Sequence, residues 1–118
     1  MSTLVKFLSA LGFALFLATG AFAESISPAD ASQHVGTVTT VEGVVAQVSN
    51  SSGGTTFINF GGRYPNHVFY AVIFKNLANR FPGVHSLEGR MVAISGTIEL
   101  YKGKPQIILK APEQLEVR

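Results

Sequence analysis

The chain has 118 residues, 47% of them hydrophobic, with nine basic against seven acidic residues, a formal net charge of +2 and no cysteine. The missing thiol excludes cysteine nucleophiles, CxxC redox chemistry, thiolate metal sites and disulfides. A chain of this length is one domain whose stability must come from a packed core and a well-paired sheet.

Lys6 precedes an apolar run from Phe7 to Ala18, then Thr19-Gly20 and the small-x-small triplet Ala21-Phe22-Ala23. The run is short for a membrane span and leads into a cleavage-type triplet, which predicts a secretory signal peptide over 1–23. Its removal takes one basic residue, Lys6, and no acidic one, so the net charge falls by one. Total charge then implies no general grip on nucleic acid or anionic membrane, and any such grip must be local. The mature protein is expected to be periplasmic or secreted, with no stable membrane insertion.

Glu24 to Val35 is a polar lead-in whose Ser27-Pro28-Ala29-Asp30 suggests a capped turn or short helix. Val35 to Val48 reads as the first strand, but its alternation breaks, since Val41 is out of phase with Val38, Val44, Ala46 and Val48. A bulge at Glu42-Gly43 explains the break and turns both Val41 and Val44 inward. Ser49 to Gly54 is a turn, Thr55 to Phe60 the second strand, Gly61 to Asn66 a loop and Val68 to Phe74 the third strand. Leu77, Ala78 and Phe81 recur at helical spacing until Pro82-Gly83, which predicts one short helix.

Gly89 to Leu109 is a hairpin. Val92, Ile94, Ile98 and Leu100 alternate with Met91, Ala93, Thr97 and Glu99, the period of a strand with one buried face. Lys102-Gly103 supplies the tight turn, Pro112 ends the fifth strand, and Leu115 and Val117 form a brief closing strand.

Three strands, a short helix and two strands, with a bulged first strand, is the layout of the five-stranded Greek-key barrel called the OB-fold, an all-β class. In Val41-Glu42-Gly43-Val44-Val45, Ala71-Val72-Ile73-Phe74, Val92 to Ile98 and Tyr101 to Ile107 the chain resembles the anticodon-binding type of nucleic-acid-binding OB domain. Domains of this kind also occur in bacterial exonuclease large subunits. The resemblance runs over Gly36 to Val117, and one fold of this kind hosts many functions.

The resemblance implies ligands lying across the second and third strands, flanked by the loops after strands one and four. It nominates Phe57, Asn59, Tyr64, His67, Phe69 and Tyr101 for the ligand face, with Arg63, Lys75, Lys102 and Lys104 reaching phosphates of a single strand. Phe57 and Phe69 read more readily as core than as ligand contacts, whereas Tyr64 and Tyr101 sit in loops and favour stacking. Lys102 and Lys104 read either as an anion contact or as a solvated hairpin tip.

His34, His67 and His85 share no metal-type spacing, and the acids Asp30, Glu42, Glu88, Glu99, Glu113 and Glu116 are scattered without a readable partner. The expectation is therefore no catalytic residue, no metal and no cofactor. Two binding functions stand: single-stranded DNA or RNA, or a protein or small ligand held by an envelope adaptor, as in a stress response.

Overall fold

A computed structural model describes Glu24–Arg118, and the leader expected over 1–23 lies outside the described residues. The described chain is all-β apart from short 3-10 turns. Its strands are β1 (Ser25–Ile26), β2 (Val38–Asn50), β3 (Thr56–Phe60), β4 (Phe69–Ile73), β5 (Met91–Thr97), β6 (Glu99–Tyr101), β7 (Lys104–Ile108) and β8 (Leu115–Val117). They form one eight-stranded sheet in the order β6-β7-β4-β3-β2-β5-β8, with β1 added in parallel along β2.

The Val- and Thr-rich β2 serves two partners. Val38–Val44 pairs with β5, and Val45–Asn50 pairs with β3. The switch coincides with a register shift between Val45 and Gln47, which leaves Ala46 as the extra residue. The expected bulge at Glu42-Gly43 is thus corrected to Ala46, because pairing with β5 runs unbroken through Glu42 and Gly43. The inward set is Val41, Gly43 and Val45 before the bulge and Val48 after it, so Val44, expected inside, is half-exposed.

Gly43 is small for another reason. A Cβ there would lie 2.6 Å from Pro28 Cγ. Pro28 opens the 3-10 helix η1 (Pro28–His34), whose Ala31 is fully buried in the core. The polar lead-in is therefore a lid on the core-facing side of β2 rather than a loose tail.

In β3 and β4, Ile58 lies opposite Ala71 and Phe60 opposite Phe69, and the Ile58 row continues to Val48 on β2 and Ile107 on β7. These residues are the centre of the core. The helix expected over Lys75 to Phe81 is instead two 3-10 segments, η2 (Lys75–Arg80) and η3 (Val84–Leu87). Pro82-Gly83 divides them, and Val84, Leu87 and Phe81 close the core beneath.

β5 and β6 are separated by Ile98 alone, which donates to Thr37 O and accepts from Gly36 N. Val92, Ile94 and Ile98 are buried as expected, but Leu100 is 57% exposed. Past Ile98 the strand leaves β2 and pairs with β7, so the face that was buried along β5 no longer meets the core. Lys102 and Gly103, with φ of 49° and 82°, make the two-residue turn into β7, a left-handed pair that suits hairpin twist.

The C-terminus is fixed by Gln114, at the end of the 3-10 turn Pro112–Gln114 (η4). Its Nε2 donates to Ser95 O and Ile108 O, and its Oε1 accepts from the backbone N–H groups of Lys110 and Ala111. Gln114→Ala is expected to lower stability by about 1.5 kcal/mol, as part-buried carbonyls lose their donor, which urea unfolding will read as a lower midpoint at unchanged slope.

Candidate functional site

The register that builds the core also builds the opposite face. Gln47, Asn59, Tyr70 and Gln106 lie directly across β2, β3, β4 and β7, and Ser49 lies opposite Phe57 in the next row. Successive residues of a strand point to opposite sides, so these side chains face away from Ile58 and Phe60. The loop between β3 and β4 folds over them and encloses a cavity of about 360 Å³.

Phe57, Asn59, Tyr64, His67, Tyr101, Lys102 and Lys104 line this cavity, so seven of the expected ligand residues converge although they come from β3, β6, β7 and two loops. Three do not. Phe69 is fully buried, its ring 5.4 Å from that of Phe60, because it shares the inward phase of Ala71 and Ile73. Lys75 lies past the far end of β4, with its stem over Gly54. Arg63 is exposed on the covering loop but does not line the cavity.

Tyr70, Ser49 and Pro65 also line the cavity and were missed. All five residues of β4 are buried, so no alternation marked Tyr70 as facing elsewhere than the core. Its register opposite Asn59 is the signal that would have found it.

The walls are aromatic. Tyr64 stacks on His67 at 5.8 Å and 24°, His67 meets Tyr70 edge-on at 5.2 Å, and Tyr70 lies 5.9 Å from Phe57. Tyr101 stands across from this row, with Lys102 Nζ 5.4 Å above its ring. Tyr64 is 72% exposed, a large aromatic surface held out at the rim. Such rings offer flat faces to planar ligands.

The two lysines differ in role. Lys104 Nζ donates to Pro65 O at 2.5 Å and to His67 O at 2.7 Å, so two of its three donors hold the covering loop. Lys102 makes no hydrogen bond to protein among the described residues and is the rim cation available to an anion. Among the described residues no carboxylate lines the cavity, and Lys102 and Lys104 make its field positive.

The covering loop is also held from β2. Gln47 Oε1 accepts from Tyr64 N at 2.8 Å and from Asn59 Nδ2 at 3.0 Å. Burial first, and the Lys104 charge second, hold the His67 imidazole below its ordinary value of 6.5. His67 is therefore neutral at pH 7, and its buried Nδ1 has no hydrogen-bond partner among the described residues. Burial, with a smaller contribution from Tyr101, raises the Tyr70 phenol above 10.0 and keeps it protonated. No helix of the described residues is long and apolar enough to cross a membrane.

No family model and no curated protein matches the chain. Among solved structures, it is similar to one described as an aspartyl-tRNA synthetase from Leishmania major Friedlin, at 10% identity over 80% of this chain with a TM-score of 0.53. The chain spans 20% of that protein's length. It is also similar to OBody AM2EP06 bound to hen egg-white lysozyme, at 14% identity, TM-score 0.56, covering 80% of this chain and 92% of that one. OBody AM1L10 bound to the same lysozyme matches at 20% identity and TM-score 0.52 over 73% of this chain and 83% of the other. At these identities the likeness concerns the all-β fold and not the activity.

Proposed function

We propose that this chain is an exported, non-enzymatic OB-fold domain that binds single-stranded nucleic acid in the aromatic cavity beside β3 and β4. Support for the five-stranded barrel comes from the strand path. If β5 and β6 are taken as one strand interrupted at Ile98, the order β2-β3-β4-β7 returns through that strand to β2. The parallel β4–β7 pair and the 3-10 segments between β4 and β5 fit the same reading. Support for export comes from the leader.

The single observation that carries the ligand is the ring of Phe57, Tyr64, Tyr70 and Tyr101 around a cavity without carboxylates and with Lys102 at its rim. Bases stack on such rings at about 1–3 kcal/mol each, largely irrespective of sequence. Among the described residues Lys102 is the one cation lining the cavity that makes no hydrogen bond to protein, which implies few phosphate contacts there and a shallow salt dependence, about 0.7 log units of affinity per log unit of salt for each phosphate held.

Fluorescence anisotropy of the Glu24 to Arg118 protein with labelled single-stranded DNA and RNA across a salt series tests this. Binding that weakens about tenfold on Tyr64→Ala, and whose salt slope flattens on Lys102→Ala, is the expected result. No binding even at low salt would sink it. A second reading then takes over, an envelope adaptor for a protein, for which the lysozyme-bound OBodies supply a precedent of this fold gripping a protein surface.

A further inference from the structure

We infer that Asn59 reads the seated base, and that the cavity favours bases carrying an exocyclic amino group over thymine or uracil. This rests on the nucleic-acid reading above. The backbone N–H of Tyr64 can only donate. It lies 2.8 Å from the Gln47 side-chain amide, so that amide must turn its oxygen toward the loop.

The same oxygen lies 3.0 Å from the Asn59 amide. Two amide oxygens cannot share a hydrogen, so Asn59 turns Nδ2 to Gln47 and is left with Oδ1 on the other side. The order of donors alone therefore sets both amides. Among the described residues nothing donates to Asn59 Oδ1, although Asn59 is only 1% exposed and lines the cavity. His67 beside it is 7% exposed, and its Nδ1 is also unpartnered.

Asn59 Oδ1 is open to water through the cavity, and a seated ligand that displaces this water must itself supply an N–H or leave the acceptor unpaired. A planar ring held between the aromatic walls presents its edge to the β3 floor, where Asn59 sits. Adenine and cytosine carry an NH₂ group on that edge. Thymine and uracil carry carbonyl oxygens on both sides of their single N–H, which sets lone pairs against Oδ1. Sites built to meet a particular polar group discriminate strongly against ligands that lack it.

The test is anisotropy with labelled dA, dC and dT oligonucleotides of equal length at one salt concentration, where phosphate contributions cancel. The expected result is dA and dC binding about tenfold tighter than dT. Asn59→Ala should remove the preference. Because Asn59 is buried and its truncation also perturbs the packing of the site, Gln47 provides the independent arm. Gln47→Glu still accepts from both Tyr64 N and Asn59 Nδ2 and should keep the dA/dT ratio even as overall affinity drops. Gln47→Met releases the Asn59 amide to rotate and should bring the ratio to about one. Equal binding of all three oligonucleotides by the parent protein, or a ratio lost in Gln47→Glu, overturns the assignment of Asn59 and leaves the nucleic-acid reading standing. Absence of binding to any of them overturns both.

Discussion

A Gly43→Val protein is expected to lose about 3 kcal/mol of folding stability and to melt more than about 10 °C below the parent. Even a single added methyl would sit 2.6 Å from Pro28 Cγ and 3.0 Å from Pro28 Cδ, and valine adds two further carbons. A proline ring cannot swing aside as a lysine tip can, so η1 must shift as a unit. That shift withdraws Ala31 from the core, where it is fully buried. A domain of this size holds about 5–10 kcal/mol in total, so the change is a large fraction of it. Thermal and urea unfolding read the loss. Pairing the substitution with Pro28→Ala should recover part of it, because the cavity left by the ring receives the new side chain. A Gly43→Val protein that melts with the parent would show that η1 does not pack on β2 in solution.

Gly43 also marks where local reading of the sequence reaches its limit. The break in alternation along β2 is real and was visible, but a glycine next to it drew the bulge to the wrong place. A bulge residue near right-handed helical geometry requires no glycine, and Ala46 carries no signal of its own. The glycine answers instead to Pro28, a contact 15 positions away that no strand period encodes. Leu100 fails similarly. Its phase continues that of Val92, Ile94 and Ile98, yet burial depends on what faces the strand, and β6 has left the core for β7.

The aromatic part of the site was legible because Tyr64 and Tyr101 stand in loops, where a large ring has no core to fill. Phe57 and Phe69 were ambiguous in sequence, and register alone separates them: Phe57 pairs across from Ser49 on the cavity side, Phe69 from Phe60 on the core side. Tyr70 was hidden by a strand buried on both faces. The amide pair Gln47 and Asn59 is a cross-strand match that only the register after the Ala46 bulge creates.

Lys104→Met is expected to weaken oligonucleotide binding about thirtyfold at every salt concentration, a loss of about 2 kcal/mol, while leaving the salt slope as it is in the parent. In sequence Lys102 and Lys104 are near-equivalent charges on one hairpin tip. In the fold, the Lys104 ammonium reaches 39 positions back to Pro65 O and 37 back to His67 O, whereas Lys102 stays over Tyr101. Methionine keeps most of the apolar stem and deletes the two donors, so the loop carrying Tyr64 and His67 loses its tie to β7. The ligand then meets a wall that must be ordered on binding, and that cost is independent of ionic strength. Lys102→Ala should do the reverse, flattening the slope by about 0.7 with little loss at high salt. Amide exchange supplies the structural readout: the bond from Val68 N to Phe60 O closes the loop, so its protection should fall in Lys104→Met and hold in Lys102→Ala. If Lys104→Met instead flattens the salt slope and leaves that protection intact, its ammonium is a phosphate contact in the complex and the loop is held by Gln47 alone.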